Sequence, residues 1–249
     1  MGRFFIIIIQ NIEMKIPVLV YHSINNDKSD LSLEVNSFEK QINFLKRCGF
    51  ETTNFDKISN SKKKQIIITF DDGYKDIFQF ALPILKKYNF NATCFLVSNM
   101  IGKKNSWDNL KDNFISKDLM NINDINEWIK NGMSIGSHSH NHKDLTKLKI
   151  LDLENEIDFS KKTLEDKFGK EIDNFCYPFG KVNKSVYEFV KKKFKRAVTI
   201  NRSRYAIKKH DLFLIPRIDM GKDISLFKIF LKMETFYEDI KYKKNELYL

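Results

Sequence analysis

Two clusters of polar residues in this sequence could exchange protons or hold a metal ion. The first is the pair Asp71 and Asp72, which follows the apolar run at 66–68 after two further residues. Two adjacent carboxylates at the end of a buried strand cost free energy of desolvation unless a partner or a ligand binds them. The alternative is a turn, because Asp-Gly at 72–73 suits a turn and an Asp caps the start of a helix well.

The second cluster contains His138, His140 and His142, three of the five histidines of the chain. Residues at i and i+4 face the same way on a helical turn, so His138 and His142 could bind one metal if the loop is helical, with His140 pointing elsewhere. Imidazole suits Zn²⁺, Co²⁺ or Ni²⁺. The alternative is a polar loop without a ligand.

The two clusters strengthen each other. Two histidines and one aspartate form a three-ligand set with an open position, which is the pattern of hydrolytic metal sites. Three further polar groups follow apolar runs but are weak signals alone: His22, the segment Cys176-Tyr177-Pro178, and Arg217 with Asp219 nearby. A lone histidine at a strand end is more often structural than catalytic.

The elements that must position these residues alternate between strands and helices. Short apolar, β-branched runs predict strands at 16–21, 66–70, 91–97, 133–136, 175–177, 196–200 and 213–215. Periodic stretches predict helices from an N-cap at Ser37 to Gly49, and at 77–87, 124–131, 146–168, 185–193 and 225–235. This alternation predicts an α/β protein with a mostly parallel sheet, and about seven units favour a single distorted barrel. In such folds functional residues gather at the carboxyl ends of the strands, where every cluster above lies.

Three sequence motifs together resemble a known family. TFDDGY at 69–74, HSHNH at 138–142 and YPFG at 177–180 are similar to the motifs of the polysaccharide deacetylases of carbohydrate esterase family 4. These enzymes share the nodulation-type chitooligosaccharide deacetylase domain, the NodB homology domain. The resemblance covers about residues 16 to 220 and implies a distorted (β/α)₇-type barrel.

The resemblance implies a role for each matching residue. Asp71 corresponds to the general base, and Asp72, His138 and His142 correspond to the metal triad. The backbone N–H of Tyr177 would help the metal to hold the oxyanion. His22, in an early Tyr-His element, resembles the general acid of the branch that contains the biofilm exopolysaccharide deacetylases.

The sequence departs from the family at one position of the third motif. Many members carry Arg two residues before Pro178, where this chain has Cys176. The resemblance therefore leaves the partner of Asp71 open, and Arg217 is the candidate replacement.

The implied function is hydrolysis of N-acetyl groups on hexosamine units of a polysaccharide, an oligosaccharide or a glycan precursor. The expected cofactor is a divalent metal, Zn²⁺ first, with Co²⁺ or Ni²⁺ as alternatives. A related metal-dependent O-acetyl esterase or amidase, or a catalytically vestigial carbohydrate-binding protein, is the alternative. Five aromatic residues could stack on sugars or belong to the core: Tyr74, Trp107, Trp128, Phe179 and Tyr205.

Composition excludes several other classes of protein. The chain has 249 residues, 42% hydrophobic and 30% charged, which excludes a disordered chain and a polytopic membrane protein. The net charge of +11 raises the question of a nucleic-acid partner. Only six of the 43 basic residues are Arg and no nucleic-acid motif is present, so none is expected, while weak association with an anionic surface stays open.

The N-terminus and the cysteines bear on location. Residues 1–13 contain an apolar run of six residues at 4–9, which is shorter than a signal-peptide core or a membrane span. We interpret them as an N-terminal extension, either translated from a wrongly assigned start codon or forming a short extra strand. The catalytic domain is predicted to span 14–249. Three cysteines without a paired spacing fit a reducing compartment, so a cytoplasmic protein is expected, with peripheral membrane association left open.

Overall fold

A computed structural model describes residues 14–58, 63–107, 114–222 and 224–241. The predicted N-terminal extension, residues 1–13, lies outside the described residues. The strands are β1 (Lys15–Ile16), β2 (Val18–Tyr21), β3 (Ser23–Ile24), β4 (Ser32–Leu33), β5 (Phe50–Thr52), β6 (Lys64–Phe70), β7 (Thr93–Leu96), β8 (Ser134–Ser137), β9 (Asn174–Cys176), β10 (Arg196–Val198), β11 (Tyr205–Ala206) and β12 (Ile218–Asp219).

Helices follow most of these strands. The α-helices are α1 (Val35–Arg47), α2 (Leu82–Lys87), α3 (Ile122–Lys130), α4 (Ile150–Phe168), α5 (Lys184–Lys193), α6 (Leu226–Glu234) and α7 (Tyr237–Lys241). A π-helical turn (Ile77–Ala81) leads into α2, and 3₁₀ turns lie at Ser98–Met100, Leu145–Lys147 and Pro178–Gly180. In the described ranges no helix is both long and apolar enough to cross a bilayer.

The main sheet is parallel and curves into a distorted barrel. Its strand order is β10-β9-β8-β7-β6-β2-β12, with β5 paired to β6. At the end of this order, β12 pairs with β2, while Ile215 just before it forms a parallel bridge with Val198 of β10. The segment 215–219 therefore closes the ring of strands, and the predicted (β/α)₇-type barrel is confirmed.

Burial explains why these short segments form the sheet. The apolar residues of β2, β6 and β7 are almost fully removed from water, as expected for strands covered on both faces. Because the strands are parallel, their carboxyl ends meet at one rim. Asp71, which follows β6, shows this contact, since its N–H donates to the Tyr21 carbonyl at the end of β2 at 3.0 Å.

Several predictions about element boundaries were wrong. The helix predicted at 146–168 begins at Ile150, after a 3₁₀ turn at Leu145–Lys147. Helix α1 begins at Val35 with Glu34 at the N-cap, so Ser37 lies inside the helix. The side chain of Asn26 accepts a hydrogen bond from the Val35 N–H at 3.0 Å and so caps the helix from outside it. The predicted strand at 213–215 contributes a single bridge at Ile215, and the strand itself is β12.

Candidate active site

The residues singled out in the sequence lie together at the carboxyl rim of the barrel. His22 follows β2, Asp71 and Asp72 follow β6, and His138 follows β8. Tyr177 follows β9, and Arg217 precedes β12 in the segment that closes the ring. A pocket of about 130 Å³ is lined by six of these residues, with Arg217 behind Asp71: His22, Asp71, Asp72, His138, His142 and Tyr177.

Asp72, His138 and His142 bring three ligand atoms to one point. Oδ1 of Asp72 lies 3.5 Å from Nε2 of His138 and 3.3 Å from Nε2 of His142. The two imidazole nitrogens are 3.2 Å apart. All three side chains are buried. A carboxylate and two histidines converging in this way form a group that could hold a metal ion.

The hydrogen bonds around this group fit a divalent cation. Oδ1 of Asp72 is buried and has no hydrogen-bond partner among the described residues, although a buried carboxylate oxygen normally has one. Nδ1 of His138 donates to the carbonyl of Cys176 at 2.8 Å, so Nε2 is the ring nitrogen directed at the cluster, where a metal ion would take its lone pair in place of a proton. The Asp72 oxygen and the His138 nitrogen are therefore both available as ligands.

The backbone reaches this arrangement without a helical turn at 138–142. Ser139 and His142 have φ of 63° and 56°, and Asp72 has φ of 72°. Phe179 on the facing loop has φ of 57°, so four of the five described non-glycine residues with positive φ lie at this site. Such left-handed backbone is uncommon and collects where the surrounding structure enforces it.

One buried carboxylate holds the histidine loop. Glu156 of α4 accepts the N–H groups of His140 and Asn141 at 3.1 and 2.8 Å and the side-chain amide of Asn141 at 2.7 Å. The ring of His140 turns away, as predicted, and its Nδ1 lies 2.8 Å from Oγ of Ser98. The loop is therefore fixed by α4, and two of its three histidines face the cluster.

Asp71 has a different partner, a buried arginine. Nη1 and Nη2 of Arg217 donate to the two oxygens of Asp71, each at 2.7 Å. The guanidinium also donates to the Thr199 carbonyl at 2.9 Å and to Oγ1 of Thr69 at 3.2 Å, and it contacts Sγ of Cys176 at 3.3 Å. Such a bidentate pair is geometrically specific and strong. The structure thus places Arg217 against the proposed base, beside the cysteine that stands where many family members carry Arg.

These contacts determine the charges of the two carboxylates. Burial alone would raise the pKa of Asp71, but the charge and hydrogen bonds of Arg217 outweigh it and lower the pKa to about 2. Burial also opposes ionisation of Asp72, and the two histidines hold its pKa well below the usual range. Burial raises the pKa of the Cys176 thiol, so at neutral pH the cysteine is a neutral neighbour of the ion pair.

His22 and Tyr177 border the same pocket. Nε2 of His22 lies 4.0 Å from Oδ2 of Asp71, and about a third of its side chain is exposed. The N–H of Tyr177 donates to the Val198 carbonyl at 3.4 Å, a long hydrogen bond, and its hydroxyl donates to the Phe213 carbonyl at 3.0 Å. The backbone N–H is therefore near the pocket but has an acceptor already.

The five aromatic residues that could stack on sugars fall into two groups, one lining the pocket and one buried in the core. The ring of Trp107 lies 4.5 Å from the ring of His142, and that of Phe179 lies 4.6 Å from it, so both line the pocket. Tyr74, Trp128 and Tyr205 are fully buried in the core. Only the first pair is placed to meet a ligand.

Larger cavities adjoin the pocket on two sides. A cavity of about 440 Å³ shares His22 and Leu31 with it, and one of about 610 Å³ shares Phe179, Gly180 and Ile200. The central pocket is small for an organic ligand, whereas its neighbours fall in the usual range of 300–1,000 Å³. A small group of a larger ligand therefore fits the centre, with the remainder on either side.

Comparison with known proteins identifies the family. A family model described as polysaccharide deacetylase matches residues 58–197, more than half of the chain. The chain belongs to the polysaccharide deacetylase family. The resemblance based on the three motifs is confirmed.

Several relatives in the polysaccharide deacetylase family cover most of the chain. YxkH of Bacillus subtilis strain 168 is 30% identical over 185 residues, which are 72% of this chain and 61% of YxkH, so the chain spans less than two thirds of that relative. A poly-β-1,6-N-acetyl-D-glucosamine N-deacetylase of Staphylococcus aureus strain MSSA476 is 26% identical over 82% of this chain and 73% of its own length. The crystal structure of a Bacillus cereus polysaccharide deacetylase superposes with a TM-score of 0.77 at 26% identity, covering 89% of this chain and 70% of that one.

Two residues that support the site were missed in the sequence. Thr69 accepts from Arg217 and donates to the Leu19 carbonyl at 2.7 Å, and Glu156 anchors the histidine loop. Glu156 carries a faint signal, because it lies with Leu153, Ile157 and Leu164 on the buried face of α4. A carboxylate on an apolar face is unusual enough to predict a buried partner.

Proposed function

We propose that this protein is a metal-dependent hydrolase that removes N-acetyl groups from hexosamine units of a polysaccharide, an oligosaccharide or a glycan precursor. The observation that carries the proposal is the juxtaposition in one pocket of an ionised, arginine-paired Asp71 with the ligand group of Asp72, His138 and His142. Membership of the polysaccharide deacetylase family supports it.

Asp72, His138 and His142 would hold the metal. A divalent ion bound there, with Zn²⁺ expected first and Co²⁺ or Ni²⁺ as alternatives, would lower the pKa of water and polarise the acetyl carbonyl. The ligand chemistry supports this choice, since two imidazoles and one carboxylate leave a fourth position open.

Asp71 would accept the proton of the attacking water. Its low pKa keeps it ionised, and Arg217 occupies one site on each of its two oxygens. The Cys176 thiol donates to Oδ2 of Asp71 as well, at 3.5 Å. A carboxylate oxygen offers about two acceptor sites, so Oδ1 is the oxygen that keeps one for water. A carboxylate with a low pKa is a weak base, so Asp71 would depend on a bound metal to make the water more acidic.

His22 and Tyr177 would complete the reaction. His22 would protonate the departing amine of the sugar as the C–N bond breaks, which gives acetate and a free amino sugar. The N–H of Tyr177 would share or exchange its long bond to the Val198 carbonyl and donate to the oxyanion. The central pocket of about 130 Å³ suits an acetamido group, with the neighbouring sugars in the flanking cavities.

The name of the Staphylococcus aureus relative indicates the first substrate to try, a β-1,6-linked N-acetylglucosamine oligomer. The predicted cytoplasmic location and weak association with anionic surfaces also stay proposals, which cell fractionation would test. A protein found outside the cytoplasmic membrane would favour a mature extracellular glycan over a precursor.

The test is acetate release from N-acetylglucosamine oligomers before and after chelation, with Zn²⁺, Co²⁺ or Ni²⁺ added back. We expect release that stops with chelator and returns with metal. His138→Ala should lose both metal and activity, while His140→Ala, in the same loop but outside the ligand group, should keep both. Metal binding without acetate release would point to an ester or another amide, and activity that survives chelation would overturn the proposal.

A further inference from the structure

A buried lysine lies outside the residues assigned to the reaction. The ammonium group of Lys117 donates to Oγ of Ser23 and Oγ of Ser32, each at 2.7 Å. It also pairs with the carboxylates of Asp27 at 2.5 Å and Asp76 at 3.2 Å. Lysine is almost never buried unless it is paired, and taking the charges out of water is costly. A cluster of this kind therefore indicates a specific arrangement of the chain.

The partners of Lys117 hold the segment that carries His22. We define residues 22–33, which contain His22, β3 and β4, as the arm. Ser23, the residue after His22, pairs with Ser32 across the two strands of the arm. Asp76 adds two bonds, accepting from Oγ of Ser23 at 2.6 Å and from the N–H of Ile24 at 3.2 Å. The arm is thus fixed at the position directly beside His22.

The ring of His22 depends on this backbone for its position. Nε2 of His22 lies 4.0 Å from Oδ2 of Asp71, which is too far for a hydrogen bond. Among the described side chains, none forms a hydrogen bond to the ring. A group that must meet a leaving amine tolerates little displacement, since an error of about 1 Å can cost about 100-fold in rate.

We propose that Lys117 is a positioning residue, whose buried ammonium group holds the arm so that His22 stays over the pocket of Asp71 and Asp72. The effect on turnover rests on the proposed function, in which His22 is the acid. The effect on the arm does not, and it can be measured without any substrate.

Lys117 also connects the arm to a second segment that lines the pocket. The N–H of Lys117 donates to Oδ1 of Asn105 at 2.7 Å, and the N–H of Asn105 donates to the Lys117 carbonyl at 3.0 Å. Trp107, two residues along, lies against His142. One residue therefore joins the segment that carries His22 to the segment that carries Trp107.

The first experiment is a double-mutant cycle with Lys117→Met and His22→Ala, using acetate release as the readout. We expect Lys117→Met to lower kcat by about 10- to 100-fold through displacement of His22. KM should rise as well, because the arm also lines the flanking cavity of about 440 Å³. In the His22→Ala background the same change should add almost nothing. Lys161→Met is the matched control and should act independently of His22. Lys161 lies in α4, and its ammonium group bonds to the Ile172 carbonyl beyond the helix and pairs with Glu165.

The second experiment is hydrogen exchange, which needs no activity. The amides of Ile24 and Asn25 are bonded to Asp76 and to the Leu33 carbonyl, so the arm should be protected in the wild-type protein. Lys117→Met should accelerate exchange in residues 22–33 and leave residues 150–168 unchanged. If Lys117→Met does not fold, Ser32→Ala removes one acceptor and should give the same pattern at smaller size.

The outcomes separate the two proposals. A wild-type protein that releases no acetate overturns the proposed function, and hydrogen exchange then still decides whether Lys117 fixes the arm. Three results would each overturn the role of Lys117. The first is a wild-type kcat in Lys117→Met, and the second is a double mutant whose loss of kcat equals the product of the two single losses. The third is unchanged hydrogen exchange in the arm.

Discussion

Asp71 and Asp72 are neighbours in the chain, yet their carboxylates have opposite surroundings. Asp71 is paired by two hydrogen bonds with Arg217, a cation that belongs to the protein. Asp72 faces two imidazoles, and one of its oxygens is buried without a hydrogen-bond partner in the described part of the chain. The charge of Asp71 is balanced by a residue of the protein, whereas the surroundings of Asp72 are suited to a bound metal cation. The position of the partner, rather than the type of residue, therefore gives two aspartates different chemistry.

The largest effect on activity should come from removing the negative charge of Asp72, the aspartate without a cationic arginine beside it. Asp72→Asn keeps the shape of the side chain, and Asn tolerates the left-handed backbone at this position. We expect loss of stoichiometric metal and a fall of activity to background, because an amide oxygen is a much poorer ligand for Zn²⁺ than a carboxylate. Metal content after dialysis and acetate release are the measurements, and full metal content in Asp72→Asn would contradict this assignment.

The same substitution one residue earlier should have a different result. Asp71→Asn removes the proposed base but none of the three ligand atoms, so metal content should equal that of the wild type. Turnover should fall by about 10²- to 10⁴-fold, the usual contribution of a general base. Near wild-type turnover would show that Asp71 is not the base.

Removing the internal cation should affect stability and its dependence on pH. Arg217→Met leaves Asp71 buried without a partner, and breaking a buried pair typically costs about 3–5 kcal/mol in the free energy of unfolding. The pKa of Asp71 is about 2 in the folded protein and about 3.9 in an unfolded chain. Its stabilising contribution is therefore present above about pH 4 and is lost as the pH falls toward 2.

Without Arg217, burial raises the pKa of Asp71, so the variant regains stability as this carboxyl takes up a proton above pH 4, while the wild type loses its contribution below about pH 4. The stability difference should therefore narrow steadily as the pH falls, and the acidic limb of the activity profile should move to higher pH. Urea denaturation at several pH values measures the first effect. Arg47→Met, which removes an exposed arginine of α1, is the control and should show no such narrowing in this range. A difference that stays constant from pH 7 to pH 3 would argue against the Asp71–Arg217 pair as its source.

The smallest effect should come from the support of the metal side. Glu156→Gln weakens the acceptor that holds the histidine loop, and loss of such supporting contacts typically costs about 10- to 100-fold in metal affinity. Turnover at saturating metal should change little. Asp152→Asn, an exposed residue of the same helix, is the control for competition titrations with a chelating dye, and equal affinity in both variants would remove Glu156 from the site.

The part of the site that could be predicted from the sequence is local. Asp71 and Asp72 after β6 and the histidines after β8 are each encoded within six residues, and the strands that carry them are marked by apolar runs. What could not be predicted depends on contacts between distant segments. The first N–H group of α1, that of Val35, donates to the side chain of Asn26, which lies nine residues earlier. The loop of His138 is held by Glu156 from another element.

Arg217 shows the same distinction most clearly. Its sequence context offered only a charged residue near an apolar run, and the family position that usually supplies the cation holds Cys176. The three-dimensional structure brings both to Asp71, with the thiol 3.3 Å from the guanidinium. The sequence could name Arg217 only as a candidate, because its pairing with Asp71 depends on how the segment before β12 packs against the end of β6.

The closure of the barrel has a consequence for folding. Arg217 lies in the segment that joins β10 to β2, and its partner Asp71 is 146 positions earlier in the chain. Contacts between such distant residues are slow to form because a long loop must be closed first. A chain that has assembled its first six ring strands holds Asp71 without its counterion. Only the arrival of the seventh strand completes both the wall of the barrel and the charge balance of the site.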